Sequence, residues 1–567
     1  MNLRGLFVLA GIVLFTSAQS QNSVPTKWHL LDAQLDSFHG ISLNKAYQFL
    51  KGKKSQPVIV AVLDSGIDTA HEDLKDVLWR NPKEIPGNGI DDDKNGYVDD
   101  IYGWNFLGNK SGKNVDKASD ERSRVYHRFK EQYLNKEIDR SKLSSEEKTE
   151  YDLWKRASDE MEVDPQEQMK VSFLEATANS LRKYDKLIKT ELIKDDYSMA
   201  ELEKFQPATE NTRKAKVAML TYFKLLQLEP EVTVGEILKE LDSYVDSKKK
   251  SFTAKDNPPA DLRKDVIGDN YYDLNDKFYG NGDVMAGTPT HGTHVSGIIA
   301  ANRVNGIGAD GVADNVRIMS LRVVPDGDEY DKDIALGIRY AVDNGAKVIN
   351  MSFGKSYSPE KKWVDDAIKY AESKDVLIIH AAGNDAKNLD SNHNYPNPVI
   401  ASTQTKAANF MTIGASSDPR IKGEWIADFS NYGKENVDVF APGVKIYSTM
   451  PGGNKYGNQQ GTSMAAPVVS GIAALIRSYY PQLTAQQVKL AIEKTVWTSD
   501  TTLVNKPESK EKVLMSDLSR TAGFVNAYDA LVYAGTLAKT NNTEVVKPPV
   551  KKEPKLPKPT FTKPKKG

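Results

Sequence analysis

An α/β fold, a mainly parallel β-sheet flanked by helices on both faces with an inserted α-helical subdomain, follows from three observations on the 567-residue sequence. Apolar runs bounded by turn residues recur at Val58–Asp64, 316–323, 348–351, 376–381 and 411–413, as expected of strands covered on both faces. Helical stretches at 331–344 and 362–373 lie between them, and strands alternating with helices imply parallel neighbours joined by crossovers. Between residues 107 and 266 the composition shifts to Lys, Glu, Asp, Leu and Tyr, almost without glycine, which marks a separate run of helices.

In chain order, Arg4 precedes an apolar run from Leu6 to Phe15 and then Thr16-Ser17-Ala18-Gln19-Ser20, so residues 1–20 read as a secretory signal peptide cleaved near Ser20. The run is well short of the ~20 residues a spanning helix needs, and no later stretch is a candidate span. The expectation is therefore export, with no transmembrane segment after cleavage. The chain has no cysteine. Stability outside the cell must then come from the core, from bound ions or from both, and a lipid anchor on an N-terminal cysteine is excluded.

Residues 44–50 predict a short helix, and the strand after it ends at Asp64. Residues 21–106 and 267–537 form the two parts of the α/β unit, split by the helical segment 107–266. Three capping boxes support that segment: Ser144 with Glu147, Ser198 with Glu201, and Thr233 with Glu236. Met219, Leu220, Phe223 and Leu226, then Ile237, Leu241, Tyr244 and Val245, recur at helical spacing and predict helices that pack together. The segment reads either as a bundle on the surface or as a folding aid, inhibitor or exosite. Residues 538–567 are expected as an extended tail, since 547–567 hold eight lysines and six prolines against one acid. A net charge of −1 with no strongly basic domain gives no reason to expect a nucleic-acid partner.

Chemistry concentrates in three motifs. Gly461-Thr462-Ser463-Met464-Ala465-Ala466-Pro467 puts a serine at the start of a buried helix. A serine hydroxyl is a poor nucleophile at neutral pH and needs a histidine to take its proton and a buried carboxylate to orient that imidazole. His291 and His294 in His291-Gly292-Thr293-His294 are the candidate bases; as a metal pair they lack cysteine companions and an H-E-x-x-H context. Asp64 ends an apolar strand, where a carboxylate is desolvated, whereas Asp68 lies in the following turn.

The order Asp64, histidine, Ser463 differs from the His…Asp…Ser and Ser…Asp…His orders of such triads on two unrelated folds. Together with Met351-Ser352-Phe353-Gly354, Ala381-Ala382-Gly383-Asn384, Phe429-Ser430-Asn431-Tyr432-Gly433 and Ala441-Pro442-Gly443, it makes the chain resemble the subtilisin-like (S8) serine proteases over Trp28 to Trp104 and about Asp269 to Tyr528. The resemblance implies a bacterial serine endopeptidase, secreted, periplasmic or on the cell surface, acting on protein or peptide substrates. It makes His291 the base, His294 a packing residue, and Asn384 a donor to the oxyanion beside the Ser463 backbone N–H. It makes Ser352, Phe353 and Gly354 one substrate-binding edge, with 326–329 opposite. Acidic Asp326, Asp328, Glu329 and Asp385 either favour basic substrate side chains or are plain solvated acids. The family's separately folded propeptide has no room between the signal and the first strand, and the chain is expected to act as a monomer. A catalytically silent binding protein, or a latent enzyme blocked by its helical segment, are the competing readings.

Asp91, Asp93, Asn95 and Gly96 fit the opening of a calcium-binding EF-hand loop, but the twelfth position is Tyr102 instead of Glu. A non-helical Ca2+ loop is expected, with Asp99 or Asp100 supplying the missing carboxylate and Tyr97 a carbonyl, against the alternative of an acidic turn.

Overall fold

The computed structural model describes residues 24–225, 232–287, 289–497, 503–509 and 511–544. The expected signal peptide, Leu226 and the tail beyond residue 544 lie outside the described residues. Strands β1 (Val58–Asp64), β2 (Gly103–Asn105), β3 (Val316–Arg322), β4 (Val348–Met351) and β5 (Leu377–Ala381) join two later strands in one sheet. A two-stranded ribbon, β6 (Val399–Ile400) and β7 (Thr405–Lys406), precedes those two, β8 (Phe410–Ser416) and β9 (Val439–Pro442). The sheet order is β2-β3-β1-β4-β5-β8-β9, and every neighbouring pair is parallel. The strands expected at 316–323, 348–351, 376–381 and 411–413 are β3, β4, β5 and β8.

Strand periodicity decides what faces what. Val58, Val60 and Val62 share one core with α9 (Thr290–Ala300) and α13 (Thr462–Tyr479), while Ala61 and Leu63 share the other with α10 (Asp331–Asp343) and α11 (Lys361–Ser373). Side chains alternate along a strand, so Asp64 falls in step with Val62 and points to the side covered by α9 and α13. Those two helices carry His291 and Ser463. The sheet also places the carboxyl ends of β1, β4 and β5 side by side where the strand order reverses, the position in which open α/β sheets build their sites.

Between β2 and α9 the chain is helical: α2 (Glu121–Tyr133), α3 (Ser145–Glu160), α4 (Pro165–Leu192), α5 (Met199–Lys204), α6 (Glu210–Leu225), α7 (Val234–Thr253) and α8 (Leu262–Val266). All three expected capping boxes close, at the starts of α3, α5 and α7, each stabilising its helix by about 1 kcal/mol. Met219, Phe223 and Ile237 are buried with Leu181, Ile188 and Tyr197 in a core shared by α4, α6 and α7; Tyr244 of the same stripe is 38% exposed. A second core, of Val125, Tyr126, Phe129, Tyr133, Trp154 and Ala157, takes in Tyr357 from the segment after β4, which seats α2 and α3 on the α/β unit. Helix α1 (Leu43–Leu50) precedes β1, α12 (Pro419–Lys422) lies between β8 and β9, and α14 (Ala485–Lys494) follows α13; the last helix among the described residues, α15 (Ala527–Glu544), runs past the boundary expected at 537. No helix among the described residues is long and apolar enough to cross a membrane.

Candidate active site

Asp64 is 1% exposed, and its Oδ1 accepts the backbone N–H of Ser65 (2.7 Å) while lying 2.8 Å from His291 Nδ1. A buried carboxylate only accepts, so the proton of a neutral His291 sits on Nδ1 and Nε2 is left as a base. The second Asp64 oxygen is buried without a partner among the described residues, which makes the imidazole contact its main compensation. Burial works to lower the His291 pKa, but the Asp64 charge and hydrogen bond outweigh it and hold the group above the ordinary 6.5. His294, three residues on, is fully buried against the Gly457 carbonyl (3.2 Å), and burial pulls its pKa down to about 4. Asp68 caps turns, accepting N–H groups from Ala70 and Gly452. Their surroundings fit His294 for packing and Asp68 for turn-making.

Ser463 is the second residue of α13, and the proline of its motif shapes its surroundings. Pro467 has no N–H to return to the carbonyl four residues back, so the Ser463 carbonyl is free of its helical partner. The Ser352 hydroxyl donates to it (2.9 Å), and the Ser463 hydroxyl donates to the Ser352 carbonyl (2.9 Å). Behind this reciprocal clamp, Asn350 Nδ2 donates to the Ser352 hydroxyl and Ser470 donates to Asn350 Oδ1, both at 2.9 Å and both buried. Among the described residues the Ser463 hydroxyl bonds Ser352 and not His291, so the structure joins Asp64 to His291 and Ser463 to Ser352.

Asn384 spends its Oδ1 on Thr462, accepting from the backbone N–H (2.8 Å) and the hydroxyl (3.0 Å). That fixes which way the amide points. A Cβ on Gly461 would lie 3.4 Å from Asn384 Nδ2 and 3.6 Å from the Ser463 nitrogen, so two N–H donors flank a space that the glycine leaves open. The geometry suits a developing oxyanion beside the serine. Ser352 is buried, Phe353 half-buried with its ring edge-on to His380, and Gly354 exposed at the rim.

The opposite rim differs from expectation. The Asp326 N–H donates to the Asp116 carbonyl (2.8 Å) and its own carbonyl accepts from the Ala118 N–H (2.9 Å), so its main chain is already paired. Glu329 is 2% exposed, and burial raises its pKa to about 8; Asp328 accepts the Glu121 N–H (2.7 Å). Glu329 is buried and Asp328 half-buried, whereas Asp326 and Asp385 are exposed. A cavity of about 370 Å³ remains between the rims, lined by Asp64, His291, Ser352, Asp116, Arg322 and Asp326.

In the acidic loop, Asp91 accepts N–H groups from Asn95 and Gly96, and Asp93 accepts one from Asn95. Their carboxylates gather with Glu84, one oxygen of each lying within 4.8 Å of the others. Asn95 folds onto its own loop, accepting from the Tyr97 N–H and donating to Asp100. Asp99 turns away to the N–H groups of Gly87 and Gly89, and Asp100 is buried against Asn81, Asn95 and Tyr340. The third carboxylate of the group is Glu84, not Asp99 or Asp100, and the Tyr97 ring is core. Glu84 is seven residues ahead of Asp91 and outside the loop pattern, so spacing gave no sign of it; Pro467 and Asn350 were visible in sequence, but their roles depend on contacts between distant segments.

The parallel sheet gathers a carboxylate, a histidine and a serine around its carboxyl end. The chain belongs to the subtilase family: the family model of that description matches residues 55–525. It is 38% identical over 244 residues to the cell wall-associated protease of Bacillus subtilis (strain 168), covering 43% of this chain and 25% of that protein. It is 35% identical over 266 residues to the thermophilic serine proteinase of Bacillus sp. (strain AK1), covering 46% and 56%, and 39% identical over 235 residues to the major intracellular serine protease of Bacillus subtilis (strain 168), covering 40% and 66%. The chain thus spans from a quarter to about two thirds of the length of these relatives.

Proposed function

We propose that the protein is an exported serine endopeptidase that cleaves peptide bonds in proteins through Asp64, His291 and Ser463. The observation that carries this is the Asp64–His291 contact of 2.8 Å set beside a serine whose backbone N–H and neighbouring Asn384 amide flank an open space. In the reaction the Ser463 hydroxyl turns from the Ser352 carbonyl to His291 Nε2, gives up its proton and attacks the scissile carbonyl. The oxyanion takes hydrogen bonds from Ser463 N–H and Asn384 Nδ2. His291 then returns the proton to the leaving amine, and a water activated by the same imidazole releases the acyl group. Asp64 holds Nδ1 throughout and stabilises the imidazolium. Substrate lies extended along Ser352, Phe353 and Gly354.

The carboxylates of Glu84, Asp91 and Asp93 fit a hard cation that takes oxygen ligands, since three like charges held this close repel one another unless neutralised. We place Ca2+ there in a structural role that ties the loop to Glu84; no catalytic step passes through it. Hydrolysis of an unfolded protein substrate tests the main reading: wild type is expected to cleave it, with Ser463→Ala and His291→Ala both silent. Cleavage that survives Ser463→Ala would refute it.

A further inference from the structure

The segment leading into the helical region sits in the cleft. Val115 is 2% exposed, its N–H bonds the Leu107 carbonyl, and its own carbonyl accepts from Arg322, a guanidinium 2% exposed that also reaches Asp116 Oδ1 (3.1 Å) and Asn105 Oδ1 (3.1 Å). Lys117 is the bridge partner of Asp326. Packing there is backbone against backbone: Gly327 has φ +119°, and a Cβ on it would fall 2.0 Å from the Ala118 carbonyl oxygen. A few residues on, Glu121 meets Lys355 (2.7 Å), which also holds Asp331 (2.9 Å) and the Glu329 carbonyl (2.7 Å). Arg124 pairs with Glu121 (2.7 Å) and donates to the carbonyls of Asp328 and Glu329. The side chains of Lys355, Glu121 and Asp331 are 0%, 4% and 1% exposed. Lys355 directly follows Ser352-Phe353-Gly354, so one buried ion cluster fastens the start of α2 to both rims.

We propose that Val115–Arg124 is a fixed wall of the substrate cleft, not a strap that leaves, and that Glu121 is a positioning residue that holds the Ser352–Gly354 edge through Lys355. The wall takes the main-chain groups of Asp326 that a bound peptide would otherwise use. A peptide therefore pairs along Ser352–Gly354 and meets Asp116 and Lys117 as its outer neighbours. A strap built to leave would have to break buried charge pairs on both rims, which desolvation makes costly once their partners are gone.

The inference rests on the hydrolase reading, and the test separates the two. The chain has no cysteine, so Lys117→Cys with Asp326→Cys gives one disulfide between bridge partners, within reach of the required Cα separation of about 4.4–6.8 Å. Labelling of the reduced variant by a fluorophosphonate is scored first; its absence overturns the hydrolase reading. With labelling present, the oxidised form is expected to turn over an extended peptide with kcat/KM within about twofold of the reduced form. Turnover that vanishes on oxidation and returns with reductant overturns the wall. Independently, Glu121→Gln is expected to raise KM for the extended peptide several-fold while kcat stays within about twofold. A drop in thermal stability with KM unchanged overturns the positioning role.

Discussion

His291 stands in two opposing fields. Burial disfavours its charged form, and the neighbouring Asp64 favours it more strongly, so the pKa lies above 6.5. A general base must be neutral, so kcat/KM is expected to rise with pH through an apparent pKa above 6.5 and to be lost on the acid side. Asp64→Asn removes the charge that lifts the pKa; the profile should move to lower pH and kcat should fall by roughly 10⁴-fold. A pH profile with its acid limb at or below 6.5 in the wild type would contradict the pairing. The stability contribution runs the other way: the charged imidazole and Asp64 attract each other, so that contribution is full below 6.5 and disappears as pH rises through the folded pKa.

At the scale of elements, the start of α13 depends on exchanging one hydrogen bond for another. Pro467 removes the helical donor to the Ser463 carbonyl and Ser352 replaces it. Ser352→Ala leaves that carbonyl and the Asn350 amide without this partner and is expected to cost about 1–3 kcal/mol, read as a lower Tm. Adding Pro467→Ala restores a helical N–H to the same carbonyl, so the double variant should recover part of the loss, whereas simple addition of two losses would contradict the exchange. Chelation bears on another element, the acidic loop: removing divalent cations is expected to lower Tm and speed autolysis, Glu84→Gln should blunt that response, and a Tm indifferent to chelator would refute the Ca2+ assignment. The β-strands were legible because burial on both faces writes a continuous apolar run, and the capping boxes because their logic lies within four residues. Glu84 was not legible, because the fold and not the loop pattern brings it to Asp91. The occupied rim at Asp326 was not legible either, since main-chain pairing with Asp116 and Ala118 leaves no mark on side-chain pattern.

Across the whole molecule, acid stability follows from which buried groups carry protons. Burial holds His29, His294 and His380 at about 3, 4 and 4, so each stays neutral in the fold and takes up a proton on unfolding below 6.5. Glu329 and Asp100, raised to about 8 and about 6 by burial, do the opposite and keep protons that the unfolded chain releases. Between pH 6 and 4.5 the two carboxyls offset two of the three histidines, which leaves a net uptake of one proton on unfolding. Below 4.5 Glu329 no longer opposes the histidines, and Asp32, Glu121 and Asp418, each held at about 2 by their partners against burial, add to the loss as they are protonated. The unfolding midpoint should therefore fall gently down to about pH 4.5 and steeply below it; a steep fall beginning at 6.5 would contradict the carboxyl assignments. The family was legible at this scale because its motifs are local, while the joining of the helical region to both rims, through Glu121 and Lys355, spans 234 positions and is set by folding alone.

The most direct measurement is fluorophosphonate labelling of the full-length protein read by mass spectrometry, wild type beside Ser463→Ala, before and after limited proteolysis. The expected result is one adduct per chain, on the peptide containing Ser463, formed without prior nicking and absent from the variant. An adduct elsewhere, or none in any state, would contradict the assignment of Ser463 as nucleophile, and labelling only after nicking would contradict a cleft that is open as folded.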